Sequence, residues 1–111
     1  MMDTAEGLDM QAMQQAAAKA SRLLKTLANP DRLLLLCQLT QGEHCVGEMQ
    51  ALVGVLQPTL SQQLGVLRQE GLVTTRREGK QIFYSIASQD ALAVMQVLYQ
   101  RFCASSTGAA Q

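Results

Sequence analysis

The sequence has no net charge, no long apolar run, no second histidine and no even number of cysteines, and each absence narrows its function. Nine Lys and Arg meet nine Asp and Glu. A zero formal charge excludes a polyanion-binding surface spread over the whole chain, so any such site has to be local. The apolar run Leu33–Cys37 falls far short of the roughly 20 residues a membrane span needs, and Met1-Met2-Asp3 begins no signal peptide, which points to a cytoplasmic protein with no membrane partner. The three cysteines cannot all pair within one chain, and a reducing compartment keeps them as thiols, leaving redox or metal chemistry rather than structural disulfides. With His44 the only histidine, no Ser-His-Asp or Cys-His set is indicated by spacing, so no enzyme activity is expected and His44 reads as a solvent-facing loop residue. There is no internal repeat, and 111 residues suffice for one core and not for two.

What is present is a foldable chain, 48% hydrophobic and 16% charged. Its charge is uneven. Residues 1–18 carry Asp3, Glu6 and Asp9 and no base, so from Lys19 onward nine bases face six acids and the body is +3. The expected organisation is a flexible acidic N-terminus over 1–9, one domain over 10–103, and a loose, low-complexity tail over 104–111.

Periodicity orders the domain. Met13, Ala17, Ala20, Leu24 and Leu27 recur at helical spacing, giving a first helix over about 10–28. Asn29-Pro30 stops it and caps a second, which runs to about Thr40 with Asp31 in its first turn. Val46, Met49, Leu52 and Val53 make a short third helix that Gly54 ends. Pro58 opens a fourth, whose Leu60, Leu64 and Leu67 form a buried stripe and which Gly71 closes. From Leu72 the period changes to two, and Leu72–Arg77, a turn at Glu78-Gly79-Lys80, and Gln81–Ile86 read as a β-hairpin with a charged tip. Ser88 caps a last helix bearing Leu92, Met95, Leu98, Tyr99 and Phe102. The order ααααββα, mainly α with a β-hairpin wing (an α+β chain), is that of a winged helix-turn-helix.

Such an arrangement places the fourth helix in a DNA major groove. Its leucines leave Gln57, Thr59, Ser61, Gln62 and Gln63 near the N-terminal end as polar, uncharged candidates to read base edges, while Arg68, Arg76, Arg77 and Lys80 are candidates to hold phosphates. Either group alone is as well explained by a solvated surface; their succession in this order favours double-stranded DNA as the partner.

The stretches Leu23-Leu-Lys-Thr-Leu-Ala-Asn-Pro-Asp-Arg-Leu and Gln57-Pro-Thr-Leu-Ser-Gln-Gln-Leu-Gly-Val-Leu-Arg-Gln-Glu-Gly-Leu-Val resemble the ArsR family of homodimeric winged-helix repressors, over roughly residues 15–103. Within it, Gln57 to Arg68 resembles the subgroup of biofilm growth-associated repressors, which respond to sulfide-derived persulfides. The resemblance implies a homodimer packed through its first and last helices, with two recognition helices about one DNA turn, roughly 34–36 Å, apart. Arsenic sensors of the family resemble Glu-Leu-Cys-Val-Cys-Asp-Leu where this chain has Glu43-His44-Cys45-Val46-Gly47-Glu48-Met49, so one thiol of that pair is replaced by Gly47. Their zinc-sensing relatives use carboxylates and imidazoles on the last helix, which here holds no His. Cys37 alone reads as a buried small hydrophobe, but with Cys103 it matches the dithiol pair of the persulfide-responsive subgroup, and Cys45 is an extra. The implied function is repression by the reduced dimer and release when reactive sulfur species or oxidation bridge Cys37 and Cys103, with no cofactor and no metal. Two alternatives stay open: a metalloid sensor with Cys37, Cys45 and Cys103 as thiolate ligands, and a winged helix that binds a protein.

Overall fold

In a computed structural model, residues 9–104 are described. The element order is α1 (Met10–Leu27), α2 (Pro30–Leu39), β1 (His44–Cys45), α3 (Val46–Val53), α4 (Thr59–Gln69), β2 (Val73–Glu78), β3 (Gln81–Ile86) and α5 (Gln89–Leu98), which continues as a π-helical turn, Tyr99–Ala104. The loose termini expected over 1–9 and 104–111 lie outside the described residues, apart from Asp9, which caps α1, and Ala104, which ends the π turn.

Local chemistry sets the boundaries. Asn29 Oδ1 accepts the Arg32 N–H at 3.0 Å with Pro30 in the first turn, and Ser88 Oγ accepts the Ala91 N–H at 3.0 Å. Cys45 starts α3, and its N–H donates to Glu48 Oε1 at 3.0 Å, the return half of a capping box. Gly71 sits at φ +77°, while the Leu72 N–H reaches the Leu67 carbonyl at 2.9 Å and the Gly71 N–H that of Arg68 at 3.0 Å. That pattern is a Schellman motif, and it turns the chain from α4 directly into the wing.

Leu35, Leu36, Met49, Leu60, Leu64 and Leu67 are fully buried and form the centre of one core. Burying each such side chain is worth about 1.5–3 kcal/mol, so the three leucines of α4 fix its rotation and force the residues between them outward. The sheet order is β1-β3-β2, antiparallel throughout, with His44 opposite Tyr84 and Val73 opposite Ile86. The structure corrects two expectations. His44, read from the sequence as a loop residue, stands with Cys45 in the strand β1, which ties the wing to the helices. Leu52 is not part of the core but 56% exposed.

α1 departs most from a self-contained domain. Only Thr26 and Leu27 of its 18 residues are buried, and Met10, Met13 and Leu24 are exposed along one side. Val97 (58%) and Phe102 (70%) are exposed on α5 and its π turn.

Candidate nucleic-acid interface and thiol pair

The helix-turn-helix is α3 and α4, joined by the link 54–58, and β2–β3 is the wing. On α4 the exposed positions are Ser61, Gln62, Gly65, Arg68 and Gln69, with Gln57 and Pro58 preceding them, a continuous stripe at helical spacing opposite the leucines. Thr59 and Gln63 lie half-buried at its edge. Gly65 gives that stripe a gap, and nothing inside the fold approaches where its Cβ would be, so packing does not demand a glycine there.

Two of the glutamines are already bonded. Gln57 Oε1 accepts the Ser61 N–H at 3.0 Å and so caps α4, and Gln63 Oε1 accepts Nη1 of Arg32 at 2.8 Å. The Gln62 side chain makes no hydrogen bond within the described residues.

The basic residues divide similarly. Arg76 is held by Glu43 through Nε and Nη2, both at 2.8 Å, and by Glu78 through Nη1 at 2.8 Å, and its guanidinium lies 4.7 Å from the Phe83 ring centroid. The hydrogen bonds from Arg76 hold the Glu43 carboxyl below the usual carboxylate range, and those carboxylates in turn raise Arg76. Arg76 is therefore a brace between β2 and the chain entering β1, with its charge compensated. The Arg77 side chain, one residue on, bonds only the Gly79 carbonyl, at 3.3 Å, and neither it, Lys80 nor Arg68 has a carboxylate partner among the described residues. Gly79 at φ +65° allows the two-residue turn that presents Arg77 and Lys80 at the tip.

Cys37 and Cys103 stand far apart in sequence and line one cavity of about 400 Å³ between α2 and the end of α5, walled by Leu33, Leu34, Met95, Leu98 and Tyr99. Cys37 is half-buried and Cys103 exposed. Burial pushes the Cys37 thiol up, and the negative charge of Cys103 adds to the rise. Cys103 lies in the π-helical turn, an irregularity frequent at functional sites. Cys45 is buried at the start of α3 and does not reach this cavity. Among the described residues no three His, Cys, Asp or Glu side chains group as a metal site.

His44 is not the solvent-facing loop residue expected from sequence. It is half-buried in β1, with Nδ1 3.4 Å from Glu48 Oε1 and Nε2 3.2 Å from Gln38 Nε2. The sequence reading also missed Arg32, whose guanidinium binds the Thr26 carbonyl at 2.6 Å and the Lys25 carbonyl at 3.3 Å besides Gln63. A signal for it existed: a base in the first turn of a helix opposes the helix dipole and implies a specific partner.

Comparison with known proteins agrees with this architecture. Residues 29–75 match the family described as bacterial regulatory protein, arsR family. The chain is 54% identical to the biofilm growth-associated repressor of Agrobacterium fabrum over 87% of its own length and 83% of that protein's. The crystal structure of the transcriptional repressor BigR from Xylella fastidiosa superimposes with a TM-score of 0.79 at 48% identity, covering 86% of this chain and 98% of that one. A homodimeric winged helix-turn-helix DNA-binding domain from Mycobacterium bovis superimposes with a TM-score of 0.69 at 33% identity, covering 83% and 84%. With the helix-turn-helix, the wing and these relatives in agreement, the chain belongs to the ArsR family of bacterial regulatory proteins and is a winged helix-turn-helix transcriptional regulator rather than an enzyme.

Proposed function

We propose that the chain is a cytoplasmic, dimeric repressor that holds operator DNA while Cys37 and Cys103 are thiols and leaves it when sulfur bridges them. The observation that carries the DNA half is the exposed stripe of α4 flanked by the uncompensated cations Arg68, Arg77 and Lys80. In a chain with no net charge these are the local polyanion site that composition required. Gln62, with Ser61, Thr59, Gln57 and Gln63 around it, reads base edges; Arg77, Lys80 and Arg68 hold phosphates, and Arg76 sets the wing's shape. The exposed apolar sides of α1 and α5 form the homodimer interface, as their exposure and the homodimeric relative support.

The sensing half rests on the shared cavity of Cys37 and Cys103. The Cys103 thiolate attacks the sulfane sulfur of a persulfide RSSH, giving a Cys103 persulfide and RSH. The Cys37 thiolate then attacks the Cys103 sulfur of that persulfide, closing a disulfide and expelling hydrogen sulfide; where the persulfide is one sulfur longer, attack on its middle sulfur closes a trisulfide and again expels hydrogen sulfide. The bridge ties α2 to the end of α5 and shifts the population away from the DNA-bound dimer. The three-thiol metalloid reading has less support, since Cys45 lies outside the cavity. The test is release from a duplex selected out of a random library, with the chain reduced or treated with polysulfide. Wild type and Cys45→Ser should let go, while Cys37→Ser and Cys103→Ser bind and ignore the reagent. Loss of the response in Cys45→Ser, or release of wild type by arsenite through all three thiols, refutes this reading.

A further inference from the structure

Arg32 belongs to α2, outside the recognition helix, and yet one of its hydrogen bonds ends on a side chain that helix offers to DNA. Its Nε and Nη2 donate to the Thr26 and Lys25 carbonyls at the end of α1, which anchors the guanidinium, and its Nη1 donates to Gln63 Oε1 at 2.8 Å. Carbonyls at a helix C-terminus carry partial negative charge, so this is a favourable seat for a cation. A guanidinium has donors and no acceptor, so the amide atom facing it has to be the oxygen; the orientation of the Gln63 amide follows from chemistry. The Gln63 nitrogen then points away from Arg32. It donates to no acceptor among the described residues, and since no buried side-chain polar atom there lacks a partner, that nitrogen is not fully buried.

A glutamine that reads adenine uses both ends of its amide, the oxygen accepting from N6 and the nitrogen donating to N7. Arg32 already takes one of the two lone pairs of the Gln63 oxygen, while neither amide hydrogen is engaged, so donation is what this side chain has most freely available. We propose that Arg32 is a positioning residue for DNA reading. By holding the Gln63 oxygen it biases that position toward donation, favouring a guanine O6 or N7 or a thymine O4 over the N6 amino group of adenine. Gln62, with neither end engaged, keeps the bidentate adenine contact available. The inference rests on the proposed reading of DNA by α4, and it specifies which bases that helix accepts.

Selection from a randomised duplex library with the full, reduced chain tests it, with sequencing of the bound fraction. Gln63→Ala identifies the base pair that Gln63 faces, because preference there disappears while the rest of the site persists. At that pair the wild type should favour guanine or thymine over adenine on the facing strand by about tenfold. Arg32→Lys frees the amide and should admit adenine at that pair alone, and Arg32→Lys combined with Gln63→Ala should match Gln63→Ala. Arg32→Lys is checked for folding by circular dichroism. If it fails to fold, Gln63→Ala decides alone, since it leaves Arg32 bonded to α1. An adenine preference in the wild type at the Gln63 pair overturns the inference. So does unchanged preference in Gln63→Ala, or a folded Arg32→Lys that binds all sequences more weakly without altering any preference. A wild type that enriches no sequence refutes the reading of α4 itself and this inference with it, whereas the preceding outcomes leave that reading standing.

Discussion

Replacing Arg77 by alanine separates the two neighbouring wing arginines that sequence alone treats as equals. Arg77 has no carboxylate partner, whereas Arg76 is enclosed by Glu43 and Glu78. A protein cation that neutralises a DNA phosphate releases condensed counterions, and each such contact adds about 0.9 to the slope of log affinity against log salt. A dimer with two wings has two Arg77 contacts, so Arg77→Ala should flatten the slope by about 1.8. Between about 50 and 200 mM salt the wild type then loses about twelvefold more affinity than the variant. Arg76→Ala behaves otherwise. Its guanidinium is already compensated and has few counterions to displace, so the slope should stay within about half a unit of wild type. Removing it also unpairs Glu43 and Glu78 and loosens the attachment of β2 to β1, so its effect appears in thermal stability and in a uniform loss of affinity. Fluorescence anisotropy of a labelled duplex across a salt series measures both slopes. Equal flattening by the two substitutions, or none by Arg77→Ala, refutes the division of labour drawn from the ion pairs.

Two further outcomes are expected. Val97→Glu places a charge on the exposed side of α5, where pairing with a second copy would bury it at a cost of several kcal/mol; light scattering should find a folded monomer that no longer binds operator, and a DNA-binding dimer would refute the interface. Val97 serves better than Leu98, which is half-buried within its own protomer and walls the cysteine cavity. Because burial and then the neighbouring Cys103 charge favour the protonated Cys37, alkylation of Cys37, which needs the thiolate, should set in at higher pH than for an ordinary cysteine. The same shift acts on stability: as pH rises through the ordinary thiol range the unfolded chain ionises Cys37 first, so stability falls there and is unaffected below it. Mass spectrometry of alkylation rates across pH checks the shift, and an ordinary or lower midpoint for Cys37 refutes it.

The helices were legible because each carries its own punctuation. Asn29-Pro30, Gly54, Gly71 and Ser88 are local signals, and the spacing of Leu60, Leu64 and Leu67 fixes which side of α4 faces inward without knowledge of the partner surface. What was not legible is non-local. β1 is two residues long, too short to show alternation, and exists because β3 offers His44 and Cys45 an edge. The pairing of Glu43 with Arg76 spans 33 residues and that of Arg32 with Gln63 spans 31, so no window of sequence contains either. The candidate site was therefore found as a set of residue types, while the distinction between committed and available side chains within it needed coordinates. Cys37 and Cys103 show the same limit: family resemblance paired them, and that both line one cavity between α2 and the end of α5 is visible only in the coordinates.

α2 connects the two halves of the proposed mechanism. It carries Cys37 on the cavity and Arg32 on the recognition helix, five residues apart, about 7.5 Å along the axis. Leu35, Leu36 and Leu39 lock it into the core. A close-packed helix of this length moves as a unit, because a well-packed interior does not absorb displacement gradually. A sulfur bridge that draws Cys37 toward the end of α5 is then felt at Arg32, whose bonds tolerate little movement. The contact to Gln63 is 2.8 Å long, and a shift of about 1 Å carries it beyond hydrogen-bonding range. Bridging would in this way cost the dimer more than the placement of its wings. It would also release the Gln63 amide from the orientation that Arg32 imposes, so the bridged protein should lose discrimination between operator and random DNA as well as affinity.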